Sequence, residues 1–191
     1  MISATETALR DELRGLVAVR AFTYGNFTLT SGRQSDYYVD GKQVTLDGRG
    51  LYLVARFTLE HCREHDIDAV GGLTLGADPI AAAVAALSGE GERPITAFIV
   101  RKEVKAHGTG RAIEGPDLRP GQRVLLVDDT LTTGGTFLQA REAVAATGAT
   151  IVGALCVVDR EEGGREALEA AGIKLHALFH RHEFSPRASR A

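Results

Sequence analysis

Residues 124–136 read VLLVDDTLTTGGT: four consecutive apolar side chains, two adjacent carboxylates, then a turn rich in threonine and glycine. An uninterrupted apolar run with no polar alternation suits a strand buried on both faces, as in the interior of a parallel sheet. Beyond Thr136, the residues Phe137, Leu138, Ala140 and Val144 recur at helical spacing. Strand, turn and helix therefore follow one another directly. In open α/β sheets a ligand binds beyond the carboxyl ends of the strands, and free amides at a helix N-terminus attract phosphate. Thr130, Thr132, Thr133 and Thr136 add hydroxyl donors, Leu131 lies among them, and Gly134 with Gly135 lets the backbone approach an anion. Asp128 and Asp129 would repel that anion unless they face sugar hydroxyls or a divalent cation, and a sugar phosphate meets both requirements. The plainer reading, a polar strand end with a helix cap, leaves the rest of the thirteen-residue pattern unexplained. The segment is neither a Walker A loop, because the Gly-Lys-Ser/Thr ending is missing, nor a GxGxxG fingerprint.

The rest of the chain alternates in the same way. Leu9, Leu13, Leu16 and Val17 predict an amphipathic helix over 4–20, and further helices are expected over 51–61, 80–87, 136–147 and 165–171. Strands are expected over 69–73, 95–100, 124–127, 151–158 and 174–179. Residues 22–42, broken by Gly25, Gly32 and Gly41, read as small strands or a hairpin. The fold class is α/β: a central, mostly parallel sheet flanked by helices on both faces, with a small N-terminal hood at about 20–45. At 191 residues and 44% hydrophobic the chain forms one domain, 1–191, with a disordered tail expected at 185–191.

A net charge of -3 excludes a general attraction to nucleic acid or to an acidic membrane, so neither is expected as a partner. Cys62 and Cys156 are too few for a disulfide framework or a four-ligand zinc site, and reduced thiols point to the cytoplasm. No signal-peptide core or membrane span is evident. His176, His180 and His182 have no zinc-site spacing and read as surface or interface histidines.

One cluster of charge departs from this balance. Residues 101–115 carry Arg101, Lys102, Lys105, His107 and Arg111 against Glu103 and Glu114, in a long glycine-bearing loop expected to be mobile. Cations closing over a departing diphosphate would stabilise its charge and exclude water. Arginine offers a bidentate fork, lysine a compact charge and histidine a proton at neutral pH.

The opening segment resembles the signature of type I phosphoribosyltransferases, which bind 5-phosphoribosyl 1-diphosphate (PRPP). The loop RKEVKAHGTGRAIEG is similar to the catalytic loop of orotate phosphoribosyltransferases. FTLTSGRQSDYYVD, AVGGLTLGADPIA and VVDREEGG resemble that family's hood, diphosphate loop and orotate-contacting segment, in family order. The resemblance implies transfer of the phosphoribosyl group from PRPP to orotate in pyrimidine synthesis, with Mg2+ carried mainly through PRPP rather than on a direct protein site. It assigns Arg101, Lys102, Lys105 and His107 to the diphosphate. Asp128, Asp129, Thr130, Leu131, Thr132, Thr133, Gly134, Gly135 and Thr136 go to the ribose phosphate. Thr132, Arg160, Tyr37 and Tyr38 go to orotate, and Lys105, Arg101, His107, Asp128 and Asp129 to catalysis. A guanidinium at Arg160 suits the carboxylate of orotate, although without the resemblance a surface ion pair with Glu161 or Glu162 is the favoured reading. A homodimer sharing its catalytic loop across the interface is also implied. Thr30 and Leu75 depart from the family, which often carries lysine at the first place and in some members at the second. Two rivals remain: transfer to another nucleobase, and a PRPP-sensing regulator without turnover.

Overall fold

The computed structural model describes residues 4–28, 34–103 and 111–184. A six-stranded sheet forms its centre. In chain order the main elements are α1 (Ala4–Leu16), β1 (Phe22–Thr28), β2 (Gln34–Val39), α2 (Lys42–Thr45), α3 (Gly48–Glu64), β3 (Ala69–Leu73) and α4 (Ala77–Ser88). There follow β4 (Thr96–Val100), β5 (Ile113–Glu114), β6 (Arg123–Leu131), α5 (Gly135–Ala145), β7 (Thr150–Asp159), α6 (Gly164–Ala170) and β8 (Leu175–His180). The sheet order is β5-β4-β3-β6-β7-β8, and every pairing is parallel except that of β5 with β4.

The pleat of β6 explains its sequence. Leu125 and Val127 enter one hydrophobic core with residues of α1, α3 and α4, while Val124 and Leu126 enter a second with Phe137 and Ala140 of α5 and Leu168 of α6. Both faces are covered, so no position in the run tolerates a polar side chain. β7 repeats the arrangement, with Leu155 and Val157 on one side and Ala154 and Cys156 on the other. Both cysteines are free and buried.

Several boundaries differ from expectation for identifiable reasons. The first helix stops at Leu16 and passes into a π-helical turn, Val17–Ala21, before β1. Leu13, Val17 and Ala21 are all buried, so the four-residue spacing that keeps one face inward continues from the helix through the turn. α3 begins earlier than its apolar pattern does. Asp47 caps it by accepting from Gly50 N at 2.9 Å, and Gly50 lies against α2, where a Cβ would meet Val44 O at 2.5 Å. Gly50 thus reflects close packing, not a break. The short β5 inside the loop went unrecognised because two residues carry no periodicity. The most consequential difference is that β6 runs four residues beyond Val127, so both acids lie within the strand.

The hood is an antiparallel hairpin of β1 and β2, with Tyr24 opposite Tyr37 and an irregular register before Phe27. Tyr37 and Phe22 join the first core, and Phe22 packs against Phe184 at 4.7 Å between ring centroids. The tips of the hood and of the basic loop, with the C-terminal tail, lie outside the described residues. Among the described residues, no helix is long and apolar enough to cross a membrane.

Leu126 is fully buried between β6 and α5. Leu126→Ala is expected to lower unfolding free energy by about 2–5 kcal/mol without loss of the native fold, measured by urea denaturation.

Candidate active site

From β3 the chain moves outward to β4, then returns to the other side of β3 to form β6. The loops leaving β3 and β6 therefore diverge, which opens a crevice at the sheet's carboxyl edge. A cavity of about 500 Å³ occupies it, lined by Thr74, Leu75 and Gly76 after β3, by Asp128 to Thr136 except Leu131, and by Lys42 and Lys102. Gly134 takes the left-handed conformation at φ 85° and forms the N-cap of α5. A side chain there would be strained and would press on Gly164 O at 3.2 Å. Gly135 and Thr136, at the N-terminus of α5 without a side-chain cap, line the cavity, where an anion would meet amide donors and the helix dipole.

The carboxylates are 6% and 4% exposed for Asp128 and Asp129, an unusual depth for acids without a buried cation. Burial, then the neighbouring charge of Asp129, raises Asp128 to about 7, opposed by a hydrogen bond from the Thr136 side chain. Asp128 Oδ1 accepts from Asp129 N at 2.9 Å. Asp129 Oδ1 accepts from the Thr130 hydroxyl at 3.3 Å, whereas its Oδ2 is buried with no hydrogen bond. Lys42 Nζ stands 3.5 Å from that oxygen and 2.8 Å from Asp40 Oδ1. The two acids, first Asp40 and then Asp129, raise the Lys42 pKa. Such a pair, with one shielded oxygen lacking a donor, suits sugar hydroxyls or a hydrated divalent cation.

The anticipated residues fall into three groups. Asp128, Asp129, Thr130, Thr132, Thr133, Gly134, Gly135, Thr136 and Lys102 line one cavity. Leu131 is fully buried in the second core and its carbonyl accepts from Arg160 N at 2.9 Å, so its side chain is structural and faces no ligand. Arg101 does not line the cavity either, because its guanidinium pairs with Glu114 of β5. Lys105 and His107 lie outside the described residues. Lys42 is the residue that sequence reasoning missed: it follows the hood pattern immediately, and only the fold brings it beside Asp129. Leu75, the departure in the diphosphate loop, lines the cavity and is 56% exposed, next to a cis Thr74–Leu75 peptide.

Arg160, Tyr37 and Tyr38 are absent from that lining. A neighbouring cavity of about 710 Å³ is bounded by Tyr37, Arg160, Glu162 and Arg181, among others. Arg160 is 8% exposed, pairs with Glu162 at 2.8 Å, and stands over the Tyr37 ring at 5.4 Å. The ion pair anticipated with Glu162 exists, but it is buried instead of superficial. Among the described residues, Arg160 Nε has no hydrogen-bond acceptor, while Nη2 is the atom that meets Glu162 Oε1. Tyr37 donates to Glu162 at 3.0 Å, while Tyr38, one residue on, is 46% exposed and packs on Phe27. Strand alternation thus separates the two tyrosines, and only Tyr37 faces Arg160. Asp159 shapes the turn that carries Arg160, accepting from Glu161 N at 2.9 Å and pairing with Arg165 at 3.1 Å.

Fold and site together define a phosphoribosyltransferase, and residues 45–173 match the family model described as the phosphoribosyl transferase domain. The orotate phosphoribosyltransferase of Aquifex aeolicus is 47% identical over 173 residues, covering 89% of this chain and 94% of the relative. The Mycobacterium tuberculosis H37Rv orotate phosphoribosyltransferase in complex with Fe(III) dicitrate has a TM-score of 0.79 at 45% identity, covering 92% of this chain and 98% of that one. The same organism's enzyme in complex with PRPP has a TM-score of 0.71 at 41% identity, covering 92% and 96%. The chain belongs to the orotate phosphoribosyltransferase family.

The raised Asp128 has a measurable consequence for the unliganded protein. Its folded pKa exceeds the unfolded value, so folding takes up a proton between about pH 4 and 7, and stability falls as pH rises through that window. Asp128→Asn removes this penalty. It is expected to stabilise the unliganded protein by roughly 1–3 kcal/mol above pH 7, with the gain shrinking toward pH 4. Thermal melts across that range test the sign.

Proposed function

We infer that the chain transfers the 5-phosphoribosyl group from PRPP to orotate, giving orotidine 5′-monophosphate and diphosphate, a step of pyrimidine (UMP) synthesis in the cytoplasm. The observation that carries the reading is the buried Asp128–Asp129 pair on the strand leading into the left-handed Gly134 and the N-terminus of α5. The 5′-phosphate sits on the amides of Gly135 and Thr136 and on the threonine hydroxyls. The ribose hydroxyls donate to the two carboxylates, and Lys42 and Lys102 carry positive charge toward the diphosphate end. As the bond from the anomeric carbon to diphosphate breaks, positive character grows on the sugar and negative charge on the leaving oxygen. The acids favour the first and the lysines the second. Arg160, whose Nε has no acceptor among the described residues, pairs with the orotate carboxylate, and the Tyr37 ring packs beside its guanidinium.

Asp128 and Asp129 fit a hydrated Mg2+ that would come with PRPP and would supply positive charge against the diphosphate. Lys105, His107 and Arg101 complete the leaving-group site when the basic loop closes, for which Arg101 must exchange Glu114 for phosphate. A homodimer lending that loop across its interface agrees with a cavity that holds only Lys42 and Lys102 as cations among the described residues.

Protein mixed with Mg2+, PRPP and orotate should consume orotate absorbance, whereas uracil, adenine and guanine in its place should not turn over. Retained PRPP binding without turnover of any base would point to a regulator instead. Asp129→Asn should lower kcat/KM by at least roughly tenfold while the fold persists. Loop sharing is tested with mixed dimers of Lys105→Ala and Asp129→Asn chains. Recovery of activity on mixing supports it, and continued inactivity of verified heterodimers refutes it.

A further inference from the structure

Away from the crevice, the C-terminal end of α3 carries a cluster that the transfer reaction does not use. His61, Glu64 and His65 lie at positions i, i+3 and i+4, a spacing that puts all three on one side of a helix. One donor atom from each lies within 4.8 Å of the others. His176 of β8 stacks on His61 with ring centroids 4.6 Å apart, and His65 stacks on it at 4.2 Å. We propose that His61, Glu64 and His65 form a binding site for a borderline divalent transition metal such as Zn2+, with His176 covering the inner histidine.

Two features support this beyond proximity. The Nδ1 of His65 meets the carbonyl of His61 at 3.0 Å. With the proton on Nδ1, that contact satisfies a carbonyl at the helix end and leaves the Nε2 lone pair for a metal, the usual way a ligating imidazole is oriented. The negative end of the α3 dipole lies at the same place.

The surroundings select the metal. Lys174 bears on His61, and Arg10 and Arg165 on His176, so a cation bound only by charge would gain little here. Imidazole nitrogen favours Zn2+, Ni2+ or Co2+ over Mg2+ and Ca2+, which need oxygen ligands. Cys62 is adjacent in sequence but fully buried, and burial pushes its thiol up to about 12, so it offers no thiolate. Two nitrogens and one carboxylate leave a position for water.

The full chain, untagged and stripped with chelator, would be titrated with Zn2+ against a chromogenic competitor, and with Co2+ by visible absorption. One Zn2+ per chain is expected. His65→Gln and Glu64→Gln, both at exposed positions, should each weaken binding at least tenfold, while Asp128→Asn should not. Co2+ should give a d–d spectrum that His65→Gln removes. Absence of stoichiometric Zn2+ binding would overturn the proposal, as would Zn2+ binding that survives His65→Gln but is lost in Asp128→Asn. Orotate consumption with Mg2+ should be the same for His65→Gln and the unaltered chain, which separates this site from the transferase reading.

Discussion

The structure depends on a strand that must be apolar on both faces for most of its length and yet end in two carboxylates. β6 meets both demands because it lies where the sheet's connections part, so Asp128 and Asp129 leave the two cores and line the crevice while Leu131 returns to the second core. Burying acids this deeply requires backbone to come close without side chains in the way. A Cβ on Gly76 would stand 1.9 Å from Asp128 Oδ1, and one on Gly41 would stand 2.8 Å from Asp129 Oδ2. These glycines let the β3 loop and the hood close around the acid pair. The raised Asp128 records the cost of the arrangement in the unliganded protein, a cost that ligand hydroxyls or a cation would relieve.

Much of this was legible in the sequence because it follows from local rules. Two-sided burial writes itself as VLLV, and a helix entered through a left-handed turn writes itself as glycine after threonine. The alternation of strands and helices was visible for the same reason. What could not be read was tertiary. The length of β6 was hidden because Asp128 and Asp129 look like a strand's end, yet the strand stays paired with β7 as far as Leu131↔Asp159.

The site residues divide along the same line. Those supplied by one continuous segment, Asp128 to Thr136, fall together apart from Leu131, whose side chain obeys the pleat and turns into the core. Those supplied from a distance were found or missed by chance of composition. Lys42 carries no motif of its own, and its partner Asp129 is far away in sequence. Arg101 was visible as a cation, but not its pairing with Glu114, which requires β5 to fold back on β4. The histidines show the reverse case: His176 has no metal-site spacing along its own strand, and its neighbours His61 and His65 come from α3.

The two cavities are less independent than their linings suggest. Gly134 and Gly163 both take the left-handed conformation immediately before a helix, so the loops after β6 and β7 are built alike. They also touch through glycine. A Cβ on Gly164 would lie 2.6 Å from Thr132 O, and Arg160 N donates to Leu131 O at 2.9 Å. The turn that places Arg160 is therefore hydrogen-bonded to, and packed directly upon, the turn that would hold the phosphate. Any shift of one on binding must be felt by the other, because neither contact contains a flexible side chain to absorb it. A transferase that has to align a base with an anomeric carbon gains from this construction, since orientation within a fraction of an ångström depends on rigid backbone more than on the reach of individual side chains.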